Sequence, residues 1–171
     1  MELIKEIYDR ELGIQSKVGD DVRYRLRKAA RALIFRGNKI AILNARSLSL
    51  HKLPGGGVEG HESIGEGLER EIREETGCKI NQIREIGIVI EYRDRIEMMQ
   101  VSYVFVGHVQ DNSGQPVFTQ KEKDEGFVLE WMDASEAVDV MKNKDKPNSY
   151  AGKFIRVRDM AILEYYLREV E

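Results

Sequence analysis

The stretch from Leu53 to Gly77, LPGGGVEGHESIGEGLEREIREETG, places four glycines in its first eight residues and a glutamate-dense run behind them. Between Glu62 and Gly77 stand six glutamates and two arginines. On a helix advancing about 100° per residue, Glu71, Glu74 and Glu75 fall within an arc of roughly 100°, beside an apolar stripe of Ile64, Leu68 and Ile72. Three carboxylates within reach of one point repel one another unless something positive sits there. Oxygen-only donors of this kind suit Mg²⁺ or Mn²⁺, which take one to a few carboxylates and fill the rest of the shell with water and substrate phosphates. The plainer reading is a solvated helix face. The i,i+4 pairs Glu66/Arg70, Glu69/Arg73 and Arg70/Glu74 would support it at roughly a few tenths of a kcal/mol each.

The glycine loop admits three readings. As a phosphate-binding P-loop it fails, because His61-Glu62 stand where Lys-Ser/Thr is required. Gly55-x-Gly57-x-x-Gly60 formally matches a dinucleotide fingerprint, but the preceding strand is short, the following helix is acidic and no βαβ unit frames it. The third reading takes loop and helix as one unit, in which glycines allow close backbone approach and an exposed carbonyl adds a metal ligand.

Read together, Gly56, Glu62, Arg70, Glu71, Ile72, Glu74, Glu75, Gly77 and Cys78 resemble the Nudix box, G-x5-E-x7-R-E-U-x-E-E-x-G-U, with U a bulky apolar residue. Cys78 is smaller than the usual last U, and His61 replaces a glycine common in relatives. The looser resemblance runs from the Leu53-Pro54-Gly55-Gly56 lead-in to the later Glu125-Gly126…Trp131 segment. It implies an α/β fold of the Nudix type, an α/β/α sandwich with a mixed β-sheet, over residues 1–171. It also implies hydrolysis of a nucleoside diphosphate linked to another moiety, with Mg²⁺ or Mn²⁺ as cofactor.

Carried over, Glu71, Glu74 and Glu75 are the metal-binding carboxylates, and the Gly55 carbonyl joins them. Either Glu71 or a residue outside the box orients and deprotonates the water. Arg70 and Glu62 brace helix against loop. A further carboxylate comes from "QKEKDEGFVLEWMD", with Glu125 first and Glu122 second. Arg31, Lys52, Arg93 and Arg95 are candidates to face substrate phosphates, each weighed against an ordinary exposed cation. The same resemblance leaves two other functions open: a non-catalytic nucleotide-binding module, and an isomerase of isoprenoid diphosphates. The substrate itself, whether ADP-ribose, a nucleotide sugar, a modified nucleoside triphosphate, a dinucleoside polyphosphate or a capped RNA end, is not set by the box.

These residues need elements to hold them. Arg23 to Phe35 reads as a strand, with Arg23, Arg25 and Arg27 alternating against Tyr24 and Leu26. Gly37-Asn38 is a hairpin turn into Lys39–Ala45. Leu50 to Leu53 is short and extended, and Pro54 stops it. A helix spans about Glu62 to Thr76, with Gly77 as its stop. Ile83–Tyr92 and Met98–Val109 read as an antiparallel pair, and Phe127–Met132 as a further strand. Asp133 caps a helix to about Lys142. Ala151–Val170 reads as a last amphipathic helix. Three helices with mixed strands imply an α/β layer fold around one sheet. Residues 1–21 are a candidate N-terminal arm, able to exchange onto a second copy in a homodimer.

The net charge of −3 offers no basic field for DNA. No apolar run approaches the roughly 20 residues of a membrane span. One cysteine excludes an internal disulfide framework or a Cys-rich zinc site. A cytoplasmic protein acting on a small nucleotide-type substrate is expected.

Overall fold

The computed structural model describes residues 1–16, 22–111 and 113–170. The long strands β2 (Arg25–Arg36) and β6 (Met98–Asp111) run parallel, in register from Arg25↔Met98 to Phe35↔His108. β6 is also antiparallel to β5 (Lys79–Arg93), which in turn carries β1 (Leu3–Tyr8) in parallel on its far edge. On the other side, β2 turns through Gly37, at φ 63°, into the antiparallel β3 (Lys39–Ala45). β3 pairs with β4 (Leu50–Lys52) and with β7 (Phe127–Met132), completing a seven-stranded mixed sheet.

Strand alternation sends neighbouring side chains to opposite faces. From β2, Ala30, Ala32 and Ile34 join Ala41 and Phe105 on one face, under Leu68 and Ile72 of α1 (Ile64–Thr76). Leu33 points the other way with Ile40, Ile42, Val89, Val104 and Val106. That face is covered by Ala137, Val140 and Met141 of α3 (Ala134–Asn143) and by Phe154, Ile162 and Leu163 of α4 (Tyr150–Val170). The result is the α/β/α sandwich with a mixed sheet that the sequence implies. Burying Leu68 and Ile72 contributes about 1.5–3 kcal/mol each.

α1 starts two residues later than expected, because Ser63 and Glu66 form a reciprocal capping box. Gly77, at φ 71°, ends it as expected. Four features differ from the sequence reading. A short fourth helix, α2 (Gln120–Asp124), forms on its own capping box of Thr119 and Glu122. Asp133 precedes α3 with extended backbone but makes no side-chain cap, since its carboxylate is 2.7 Å from Lys39 Nζ. The alternation at the start of β2 does not bury one face: Arg25, Leu26 and Arg27 are all exposed. Residues 3–8 of the expected arm lie along β5 as β1, with Ile7 fully buried, while residues 17–21 of that arm lie outside the described residues. No described helix is long and apolar enough to cross a membrane.

Candidate active site

On β2, Arg25, Arg27, Ala29 and Arg31 alternate onto the same face as Leu33. The register aligns Arg27 with Gln100 of β6, and Gln100 with Glu91 of β5, in one row across three strands. Arg27 donates to Gln100 Oε1, and Gln100 donates to Glu91 Oε2. Arg93 Nη2 donates to the other Glu91 oxygen at 3.0 Å. Glu91 and Gln100 are fully buried. From α4, Arg158 closes the row, 3.8 Å from Glu91 and 2.6 Å from its neighbour Asp159. Asp159 in turn accepts the Leu53 N–H at 2.9 Å, tying α4 to the start of the glycine loop.

The loop runs along β2 like a further strand. Ala32 N donates to Pro54 O, Ala30 N to Gly56 O, and Val58 N to Lys28 O. Gly55 has φ 123°, and a Cβ there would strike the Ala30 carbonyl, so only glycine fits. A Cβ at Gly56 would collide with the Glu71 carboxylate. Arg70 Nη2 donates to Gly57 O at 3.0 Å, whereas no described residue donates to Gly55 O.

Glu75 lies about 40° around α1 from Glu71, inside the arc of the apolar stripe, while Glu74 lies about 60° to the opposite side. Glu75 is therefore buried, and Glu74 is half in solvent. Burial pushes the Glu75 carboxyl above its ordinary pKa, opposed by Lys52 and the Gly55 N–H. Lys52 Nζ is 2.8 Å from Oε1, and Gly55 N is 2.6 Å from Oε2. Arg70 grips Glu62 through Nε and Nη2, the latter at 2.8 Å. Its Nη1 lies 2.9 Å from Glu71 and 3.4 Å from Glu74. The Glu62 bond raises the Arg70 pKa and, from the other partner, holds Glu62 below its ordinary value. Arg70 thus ties α1 to the loop residues Gly57 and Glu62.

Glu71 and Glu75 line a cleft of about 680 Å³, within the usual range for a ligand site. Arg31, Lys52, Arg93, Gly55, Glu122 and Glu125 line it too. Glu74 does not; it faces the exposed flank of α1 beside Arg73. Glu122 spends one oxygen on the Thr119 N–H and hydroxyl, at 2.7 and 2.9 Å. The Glu125 carboxylate, at the end of α2, has among the described residues only the loose Lys121 contact at 3.7 Å. Arg31 and Arg93 are buried rather than exposed cations. Trp131 stays outside the cleft, against the α1-side core with Arg36 over its ring at 4.0 Å. Arg95 is stacked near Tyr150 at 5.7 Å, away from the cleft.

Sequence reading missed Arg27 and Arg158 as cleft residues. The one available signal was Arg158-Asp159 set between Phe154 and Ile162, a charged pair in an otherwise apolar helix face.

The match to the family model decides the identity: the description NUDIX domain fits residues 25–154. The chain belongs to the Nudix hydrolase family. A mouse (Mus musculus) protein named "Oxidized purine nucleoside triphosphate hydrolase" is 30% identical over 125 residues, 68% of this chain and 76% of that one. A NUDIX hydrolase from Nitrosomonas europaea shares the fold with a TM-score of 0.61 at 20% identity, covering 85% of this chain and 90% of that one. A MutT NUDIX hydrolase from Burkholderia pseudomallei does so at 0.54 and 20%, covering 78% and 97%.

Nudix hydrolases generally use divalent cations. Among the described residues no three His, Cys, Asp or Glu side chains are gathered around one ion position. The donor chemistry nevertheless fits a hard cation: the carboxylates of Glu71 and Glu75 and the undonated Gly55 carbonyl all offer oxygen.

Proposed function

We propose that the chain hydrolyses the phosphoanhydride of a nucleoside diphosphate linked to another moiety, with Mg²⁺ or Mn²⁺. The observation that carries this is the pairing of Glu71 and Glu75 in one cleft, beside the Gly55 carbonyl and opposite basic side chains. Glu71, Glu75 and the Gly55 carbonyl would hold the ion, and Glu74 assists from the rim through the Arg70 guanidinium it shares with Glu71. The bound ion would neutralise phosphate charge and acidify a water.

The remaining work falls to the chain's own residues. Glu125 is the better candidate to orient and deprotonate the water, since the Glu122 carboxylate is engaged at the cap of α2. Lys52, Arg31 and Arg93 face the substrate's phosphates. Arg70 and Glu62 fix the loop, and with it Gly55. The mouse relative's name points to modified nucleoside triphosphates among the substrates this cleft could take. A cytoplasmic location completes the reading.

A panel of nucleoside triphosphates, nucleotide sugars and ADP-ribose, assayed for released phosphate species with Mg²⁺ or Mn²⁺, tests the reading. Turnover of at least one substrate that stops in EDTA is expected. Folded protein that turns over none of them contradicts it.

A further inference from the structure

Four guanidinium groups line the inner end of the cleft: the buried Arg31, Arg93 and Arg158, and Arg27, which is exposed to solvent. Two buried carboxylates, Glu91 and Asp159, are their acidic partners. Glu75 is already matched by Lys52. Two positive charges are left over in a region where Arg158 is fully buried and Arg31 and Arg93 are 5% and 6% exposed.

The donors are unmatched as well. Among the described residues, Arg158 Nη1 and Nη2, Arg31 Nε and Arg93 Nε have no hydrogen-bond acceptor. The 3.8 Å from Arg158 to Glu91 is too long for a hydrogen bond. Arg31 makes a single bond, 3.1 Å to the carbonyl of Ala30. Burying guanidinium groups with idle donors is costly, and arginine does not escape by losing its proton at neutral pH. Burial first, and Arg158 next, pull the Arg31 pKa down to about 10, so its charge is tolerated rather than stabilised by its neighbours.

We propose that this inner end is a subsite for a phosphate dianion that the substrate carries beyond the bond that is cut. A surplus of two positive charges matches a terminal phosphate rather than a carboxylate, and the guanidinium fork fits phosphate oxygens. The inference rests on the hydrolase reading above and narrows it. Substrates ending in a free phosphate, as nucleoside triphosphates do, satisfy the arginines. Nucleotide sugars and ADP-ribose, whose distal group is a neutral ring, leave them unmatched.

The test separates the two readings. Protein in EDTA is titrated calorimetrically with inorganic phosphate and, in parallel, with acetate. Phosphate is expected to bind and acetate not to. Arg31→Met weakens phosphate binding by about tenfold or more, the worth of one charge-assisted contact, while its melting temperature holds or rises. Arg31→Lys recovers part of the binding. With Mg²⁺ present, kcat/KM favours a nucleoside triphosphate over the matching diphosphate and over ADP-ribose, and Arg31→Met erases that preference. Absence of phosphate binding in EDTA overturns the subsite, even where hydrolysis is normal. Phosphate binding without a triphosphate preference overturns its assignment to the substrate. Protein that binds phosphate through Arg31 yet hydrolyses nothing supports the anion subsite and overturns the hydrolase reading.

Discussion

Lys52 Nζ lies 2.8 Å from one oxygen of Glu75, and the Gly55 N–H holds the other at 2.6 Å. A buried carboxylate of α1 therefore has a protein cation as its partner, and on the proposed reading that cation competes with the metal ion for the same oxygen. Removing Lys52 leaves Glu75 buried beside one hydrogen-bond donor. Lys52→Met should cost on the order of 3 kcal/mol in stability without metal, as breaking buried pairs does. Added Mn²⁺ should then raise the melting temperature of the variant more than that of the wild type. Equal metal-induced shifts in calorimetric melts would show that Lys52 and the ion do not share Glu75.

Gly56 separates activity from folding. A Cβ there meets the movable end of the Glu71 side chain, whereas at Gly55 it meets the backbone of β2. Gly56→Ala should keep the fold, with a melting temperature within a few degrees, and lose about 10²-fold in kcat by displacing Glu71. Gly55→Ala should unfold or melt far lower. Similar losses of stability in both variants would remove the distinction.

The Arg70–Glu62 brace makes an acid-side prediction. Glu62 is held below its ordinary pKa by Arg70. Its contribution is present above the unfolded carboxylate range and is lost as pH falls through the folded value. Glu62→Gln should melt lower than the wild type at pH 7, and the two should converge on acidification below the normal glutamate range. A gap that persists at the acid end would mean that the charge on Glu62 is not what stabilises the loop.

Glu125 and Glu122 are told apart by what each already binds. Glu122→Gln should keep the reciprocal cap with Thr119, which glutamine also makes, and should change stability and rate little. Glu125→Gln should lower kcat by about 10²-fold with an unchanged melting temperature. A pH–rate profile checks the pair: the acidic limb, where a general base is protonated, should flatten in Glu125→Gln alone.

How far the residues disclosed this arrangement depends on the range of the interactions that set it. β3 and β7 match their expected bounds, and α1 ends where Gly77 predicts, because turn, alternation and cap signals lie within a few residues. β1 escaped notice because its partner is β5, some eighty residues away, and no local signal marks that parallel pairing. The box located Glu71 and Glu75 through helical spacing. That spacing also grouped Glu74 with them, although the stripe it borders decides which flank is buried. The arginine end of the cleft was legible only at Arg31 and Arg93, and its assembly was hidden for another reason. Arg27, Arg93 and Arg158 come from β2, β5 and α4, and only the register Arg27↔Gln100↔Glu91 assembles them. In the sequence each looks like an exposed cation.

The central claim is that Glu71 and Glu75 act together through a divalent ion on a phosphoanhydride. It is tested most directly by the Mn²⁺ dependence of nucleoside triphosphate hydrolysis in wild type and Glu75→Gln. The account predicts that the variant folds, loses on the order of 10²-fold or more in kcat, and needs more Mn²⁺ for half-maximal rate. A folded Glu75→Gln enzyme with the wild-type rate and metal dependence would contradict it.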